Sequence, residues 1–157
     1  MTAALKIKVW LVVFMGGLFF SGITAFPLVA EVSLLNAWLG AGTGVEQYFP
    51  AFSQWIVKIH RGVFETNTQF PFIFYGTDWL GFAHILLAIL FIGPLREPVK
   101  NIWVIEFGIV ACILVVPFAF LCGPLRDIPL CWTLIDCSFG VLGIVPLLIV
   151  RRAIKAL

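Results

Sequence analysis

Four ionisable side chains stand out by position. His84, Asp136, Asp78 and Arg126 lie inside, or at the mouths of, long apolar runs. A charged group in hydrocarbon costs roughly 2.5–3.5 kcal/mol or more, so each should be paired or functional. His84 and Asp136 suit a proton-accepting pair, because imidazole changes charge near neutral pH and a carboxylate stabilises the imidazolium. They also suit two ligands of a metal, with Asp78 or His60 as a third. Arg126 and His84 suit the polar head of a quinone, a lipid or another amphiphile. Set against these is a structural reading, in which a buried ion pair fixes the register of two helices.

Depth is what allows His84 and Asp136 to be considered together. His84 is six residues after Asp78 and Asp136 is six after Leu130. At 1.5 Å per helical residue both sit about 9 Å below the mouth of their spans. Trp79 and Trp132 mark that interface. Glu106 lies near the opposite face, with Arg96 and Lys100 close enough in sequence to neutralise it. Among the four cysteines, Cys112 and Cys137 fall inside apolar runs as small hydrophobes. Cys122 and Cys131 flank a short loop and form the one pair placed for a disulfide. Other chemistries lack their residues. No CxxC, HExxH, hydrolase elbow or Walker loop occurs. A bis-histidine haem needs two histidines in facing spans, and only His84 lies in one. No cofactor is specified.

The elements that must position these groups follow from composition. The chain has 157 residues, of which 62% are hydrophobic and 11% charged, and its mean hydropathy is +1.10. A soluble domain carries about 25% charged residues. The net charge of +2 is too small to point to nucleic acid. The spacing predicts one all-α membrane domain over residues 1–157, with spans at roughly 9–26, 78–93, 102–121 and 130–150. The first run follows Lys6 and Lys8. It reads as a span, with a cleaved signal peptide as the alternative, although Ile23-Thr24-Ala25 is a poor cleavage site.

Residues 28–76 carry no spanning run, yet they are patterned. Leu28–Leu39 reads as a short amphipathic helix ended by glycines. Pro50 opens a second helix, whose apolar face is Phe52, Trp55, Ile56, Ile59 and Val63. Gln54, Lys58, Arg61 and Glu65 form its polar face, so the helix should lie in the membrane interface or against the bundle rim, either capping a site or presenting a solvated face on a packed helix. The phrases Gly93-Pro94-Leu95-Arg96-Glu97 and Gly123-Pro124-Leu125-Arg126-Asp127 recur thirty positions apart and read as helix stops. With the N-terminus inside, seven of the ten basic residues (Lys6, Lys8, Arg96, Lys100, Arg151, Arg152 and Lys155) are cytoplasmic. That asymmetry predicts cytoplasmic termini and an outer 28–76 segment.

The phrases YGTDWLGFAHI (Tyr75–Ile85) and CGPLRDIPLCWTLIDCSFG (Cys122–Gly140) resemble a group of small, uncharacterised four-helix bacterial membrane proteins. The resemblance implies a polytopic inner-membrane protein and brings no activity with it. Two functional classes stay open. One is a non-enzymatic protein: a subunit of a larger membrane complex, or a binder of an amphiphile in the outer leaflet. The other is a small membrane enzyme or proton-coupled protein using His84, Asp136, Asp78 and Arg126 on the periplasmic side.

Overall fold

A computed structural model describes residues 2–157. The structure is 85% helical, with no strand among the described residues. Its helices are α1 (Ala3–Thr24), α2 (Leu28–Leu39), α3 (Gly44–Tyr48), α4 (Pro50–Gln69), α5 (Tyr75–Leu90), α6 (Ile92–Arg96), α7 (Ile102–Leu125) and α8 (Leu130–Ile154). A 3-10 turn, Pro71–Phe74, leads directly into α5. Four stretches are long and apolar enough to cross a membrane: Ala3–Thr24, Pro71–Arg96, Ile102–Leu125 and Leu130–Ile154. Only 11% to 33% of each apolar window is buried within the protein, so most of this surface is built to face lipid. The chain divides into two compact units, Met1–Phe19 with Leu86–Leu157, and Phe20–Ile85.

The first unit brings together segments of all four long helices. The four-residue connection 126–129 folds α7 and α8 into an antiparallel hairpin. Their seam is made of small residues. A Cβ on Gly140 would lie 2.5 Å from the Cys112 carbonyl oxygen, and one on Gly123 would lie 2.9 Å from the Thr133 hydroxyl. Close backbone approach of this kind is how helices associate in lipid, where apolar side chains gain nothing by leaving the bilayer. At the far end of the hairpin, Ile7 and Leu11 of α1 join Val104, Ile105, Val150, Ala153 and Ile154 in one buried cluster. Phe91 caps it, its ring tilted at 59° against that of Phe14 with centroids 4.8 Å apart. The beginnings of α1 and α7 and the ends of α6 and α8 therefore meet at one end of this unit. Lys6 and Lys8 of α1, Arg96 of α6, and Arg151 and Arg152 of α8 lie on the elements that meet there.

Three details differ from the sequence expectation. The Gly93-Pro94 pair is not a helix stop, because both residues sit inside α6. Pro94 has no N–H for the Leu90 carbonyl, so the break falls earlier, at Phe91, and proline is tolerated in the restarted first turn. Glu106 is neutralised by Arg151, whose Nη2 lies 3.0 Å from its carboxylate, while Lys100 pairs with Glu97. Antiparallel packing brings residues 45 positions apart into contact, which proximity in sequence cannot reveal. Finally, Gly123 and Pro124 form the last turn of α7, and the stop itself is made by Asp127, in the left-handed region at φ 54°. Ile128 N–H donates to the Gly123 carbonyl at 3.0 Å and Asp127 N–H to that of Pro124 at 3.3 Å, the paired bonds of a Schellman cap.

The second unit is built on α2 and α4. Pro50 occupies the first turn of α4, as its fixed φ favours. Ile56 of α4 and Val32 of α2 are buried, whereas Gln54, Lys58, Arg61 and Glu65 are exposed. Arg61 donates to Glu65 at 2.7 Å, which raises the guanidinium pKa above its ordinary value, and Lys58 lies 5.3 Å from the centre of the Trp55 ring. The end of α1 meets the start of α5 at a glycine pair. A Cβ on Gly22 would fall 2.7 Å from Gly81 O, and one on Gly81 would fall 2.6 Å from Gly22 O.

These contacts give three expectations for thermal unfolding in detergent. Gly140→Ala should lower the unfolding midpoint, at a cost of roughly 1–3 kcal/mol, because the added methyl meets a backbone carbonyl that cannot yield. Gly17→Ala, where the added atom meets open space, should be neutral or stabilising by up to about 1 kcal/mol. Ser53 is fully buried and its hydroxyl has no hydrogen-bond partner among the described residues. Ser53→Ala should therefore raise the midpoint, by an amount on the order of 1 kcal/mol. A fall of that size would mean the hydroxyl is bonded.

Candidate functional site

The 3-10 turn Pro71–Phe74 hands the chain to α5 with no break, so the first residues of α5 share one helical register. Tyr75, Asp78, Trp79 and Phe82 are spaced i, i+3, i+4 and i+7 and so form a single stripe. Their rings interlock edge to face: Tyr75 and Trp79 are 6.0 Å apart at 87°, and Trp79 and Phe82 are 5.7 Å apart at 82°. This is the arrangement ring quadrupoles favour. Phe26, just past the end of α1, completes the wall. It reaches α5 because Gly81 has no side chain, so a Cβ there would lie 3.2 Å from the Phe26 ring. Phe26, Tyr75, Asp78, Trp79 and Phe82 together line a groove of about 320 Å³. It is an open, aromatic groove with one carboxylate.

The Asp78 side chain has no hydrogen bond or ion pair among the described residues. The basic residues of its unit are engaged elsewhere, Lys58 over Trp55 and Arg61 with Glu65. Asp78 also lies in the first turn of α5.

The other predicted residues are placed as follows. His84 is half-buried, and its Nδ1–H donates to the Leu80 carbonyl one turn back at 2.9 Å. His84 does not line the groove, although it is on the same helix as Asp78. His60 stacks on Phe64 within α4, with centroids 6.3 Å apart. Asp136 is half-buried on α8 and belongs, with Arg126, to the first unit, while Asp78, His84 and His60 belong to the second. Arg126 is the C-cap of α7 and is exposed. Cys122 and Cys131 are free thiols, as are Cys112 and Cys137. Among the described residues, no three of the His, Cys, Asp and Glu side chains are grouped closely enough to hold a metal ion.

Sequence reasoning singled out Asp78 for its charge and missed its aromatic neighbours as a binding wall, assigning Trp79 only to the membrane interface. The signal was present as the i, i+3, i+4, i+7 spacing of Tyr75, Asp78, Trp79 and Phe82. Phe26 carried no such signal, because its place depends on the Gly22–Gly81 crossing. No protein-family model, curated protein or solved structure matches this chain.

Proposed function

We propose that this multi-pass membrane protein is non-enzymatic and binds an amphiphile in the groove around Asp78, at the outer boundary of a bacterial inner membrane. The observation that supports this reading is the groove itself. Four aromatic side chains offer an apolar wall for a chain or ring, and one carboxylate offers a single polar anchor. Binding sites for small molecules have this composition, a mostly apolar lining with a few placed polar groups. The level is also suitable. Tyr75 and Trp79 stand at the beginning of a spanning segment, where amphipathic rings sit among lipid headgroups.

The orientation belongs to the same reading and rests on the asymmetry of the basic residues, seven of ten of which fall on one side in that topology. A fluorescent protein fused after Leu157 should fluoresce, as it does when cytoplasmic. Alkaline phosphatase inserted at Gly42, between α2 and α3, should be active, as it is outside. The reverse pair of results would invert the topology.

The binding itself is tested by native mass spectrometry of protein purified in mild detergent from its own membrane. The expected spectrum shows one retained amphiphile per chain, lost or much reduced in Trp79→Ala. A bare chain, or a retained molecule indifferent to Trp79→Ala, would sink the assignment of the groove.

A further inference from the structure

The groove has a charge that nothing within the described chain answers. Asp78 sits half-buried among Phe26, Tyr75, Trp79 and Phe82, and its carboxylate has no partner there. Placing a carboxylate against apolar surface is unfavourable unless a cation or hydrogen-bond donors complete it. The surrounding groups narrow what can do so. An anionic headgroup would be repelled. A headgroup without a cationic group would leave the carboxylate unpaired. A cation would meet Asp78 directly with aromatic rings around it, and aromatic cages are the usual receptors for alkylated ammonium. The groove is also too apolar to suit a free, strongly hydrated metal ion, and it offers only one carboxylate to hold one.

We infer that the occupant is a membrane lipid with an ammonium headgroup, of the ethanolamine or choline type, with its nitrogen against Asp78 and its acyl chains along the apolar surface of α5. This rests on the reading of the groove as an amphiphile site and adds the headgroup chemistry. The geometry assigns three roles. Asp78 supplies the counter-charge, Tyr75 and Trp79 supply π surface, and Phe26, just past α1, closes the groove. Leu80 and Phe82 of the same helix are exposed and apolar, as surface for acyl chains must be. Two anchors of different kind, one ionic and one aromatic, make headgroup selection separable from plain affinity for apolar chains.

The experiment uses the full chain, stripped of lipid in detergent and titrated with lipids of identical acyl chains that differ only in the headgroup. Phosphatidylethanolamine and phosphatidylcholine carry the ammonium, diacylglycerol is neutral, and phosphatidylglycerol is anionic. Native mass spectrometry reads the bound fraction. The expected result is tighter binding of both ammonium lipids than of diacylglycerol, by about tenfold, with phosphatidylglycerol weakest. Asp78→Asn, which keeps the shape and removes the charge, should bring the four lipids to similar affinity. Trp79→Ala should weaken all of them. Diacylglycerol is the necessary control, because it separates attraction of the ammonium from repulsion of the phosphatidylglycerol charge.

The outcomes are distinguishable. If all four lipids bind alike and Trp79→Ala weakens them, the amphiphile groove stands and the ammonium inference falls. If no lipid binding depends on Trp79, both fall. A protein that copurifies and shields the groove, with no lipid retained, also overturns both. Should Asp78→Asn fail to fold, the comparison of headgroups on the unaltered chain decides the matter by itself.

Discussion

Backbone-to-backbone contact at glycine is the constraint on which both units depend. In a bilayer, leucine on a helix gains nothing by touching leucine on its neighbour, since lipid tails serve as well. Helices associate where their backbones can come close enough for many weak contacts to add up. This chain does so at Gly140 against the Cys112 carbonyl, and at Gly22 against Gly81. Gly108 leaves room for Leu147 and Phe91 in the same way, since a Cβ there would be 2.8 Å from each. Gly16 and Gly17, by contrast, face open space and serve no such contact. Glycine content alone therefore does not identify a seam.

The groove follows from one of these contacts. Gly22 and Gly81 bring the end of α1 onto the start of α5, and the missing side chain at Gly81 admits the Phe26 ring. Without that approach, Tyr75, Asp78, Trp79 and Phe82 would form only a stripe on a helix, with nothing opposite. A packing device is thus also a positioning device. The carboxylate is left without a partner for a separate reason: the unit's own cations, Lys58 and Arg61, are engaged with Trp55 and Glu65 on α4.

Electrostatics in the first unit is handled differently. Glu106, in the second turn of a spanning helix, is met by Arg151 from the last turns of α8 at 3.0 Å. Both side chains are partly exposed, and exposed pairs contribute little to stability, so the contact is better understood as neutralising a charge near the membrane than as holding the hairpin together. The seam of small residues does that. The Schellman cap at Asp127 ends α7 and lets the chain turn back within four residues, which makes the hairpin antiparallel.

Read alone, the sequence determines what depends on local or one-dimensional pattern. Four long apolar runs are spanning helices, because only a helix satisfies its own backbone in hydrocarbon. Leu28–Leu39 is a helix because its periodicity stops at glycines, and α4 begins at Pro50 because proline suits a first turn. The Arg61–Glu65 pair is legible because residues four apart share a helix face. The stripe holding Asp78 is legible on the same ground. What only the tertiary structure decides is which stripes meet. Phe26 opposite Trp79, Arg151 beside Glu106, and the carbonyl of Cys112 against Gly140 join residues far apart in the chain. Spacing along a helix says which face a residue is on. It does not say what that face packs against, which is set by where backbones can approach.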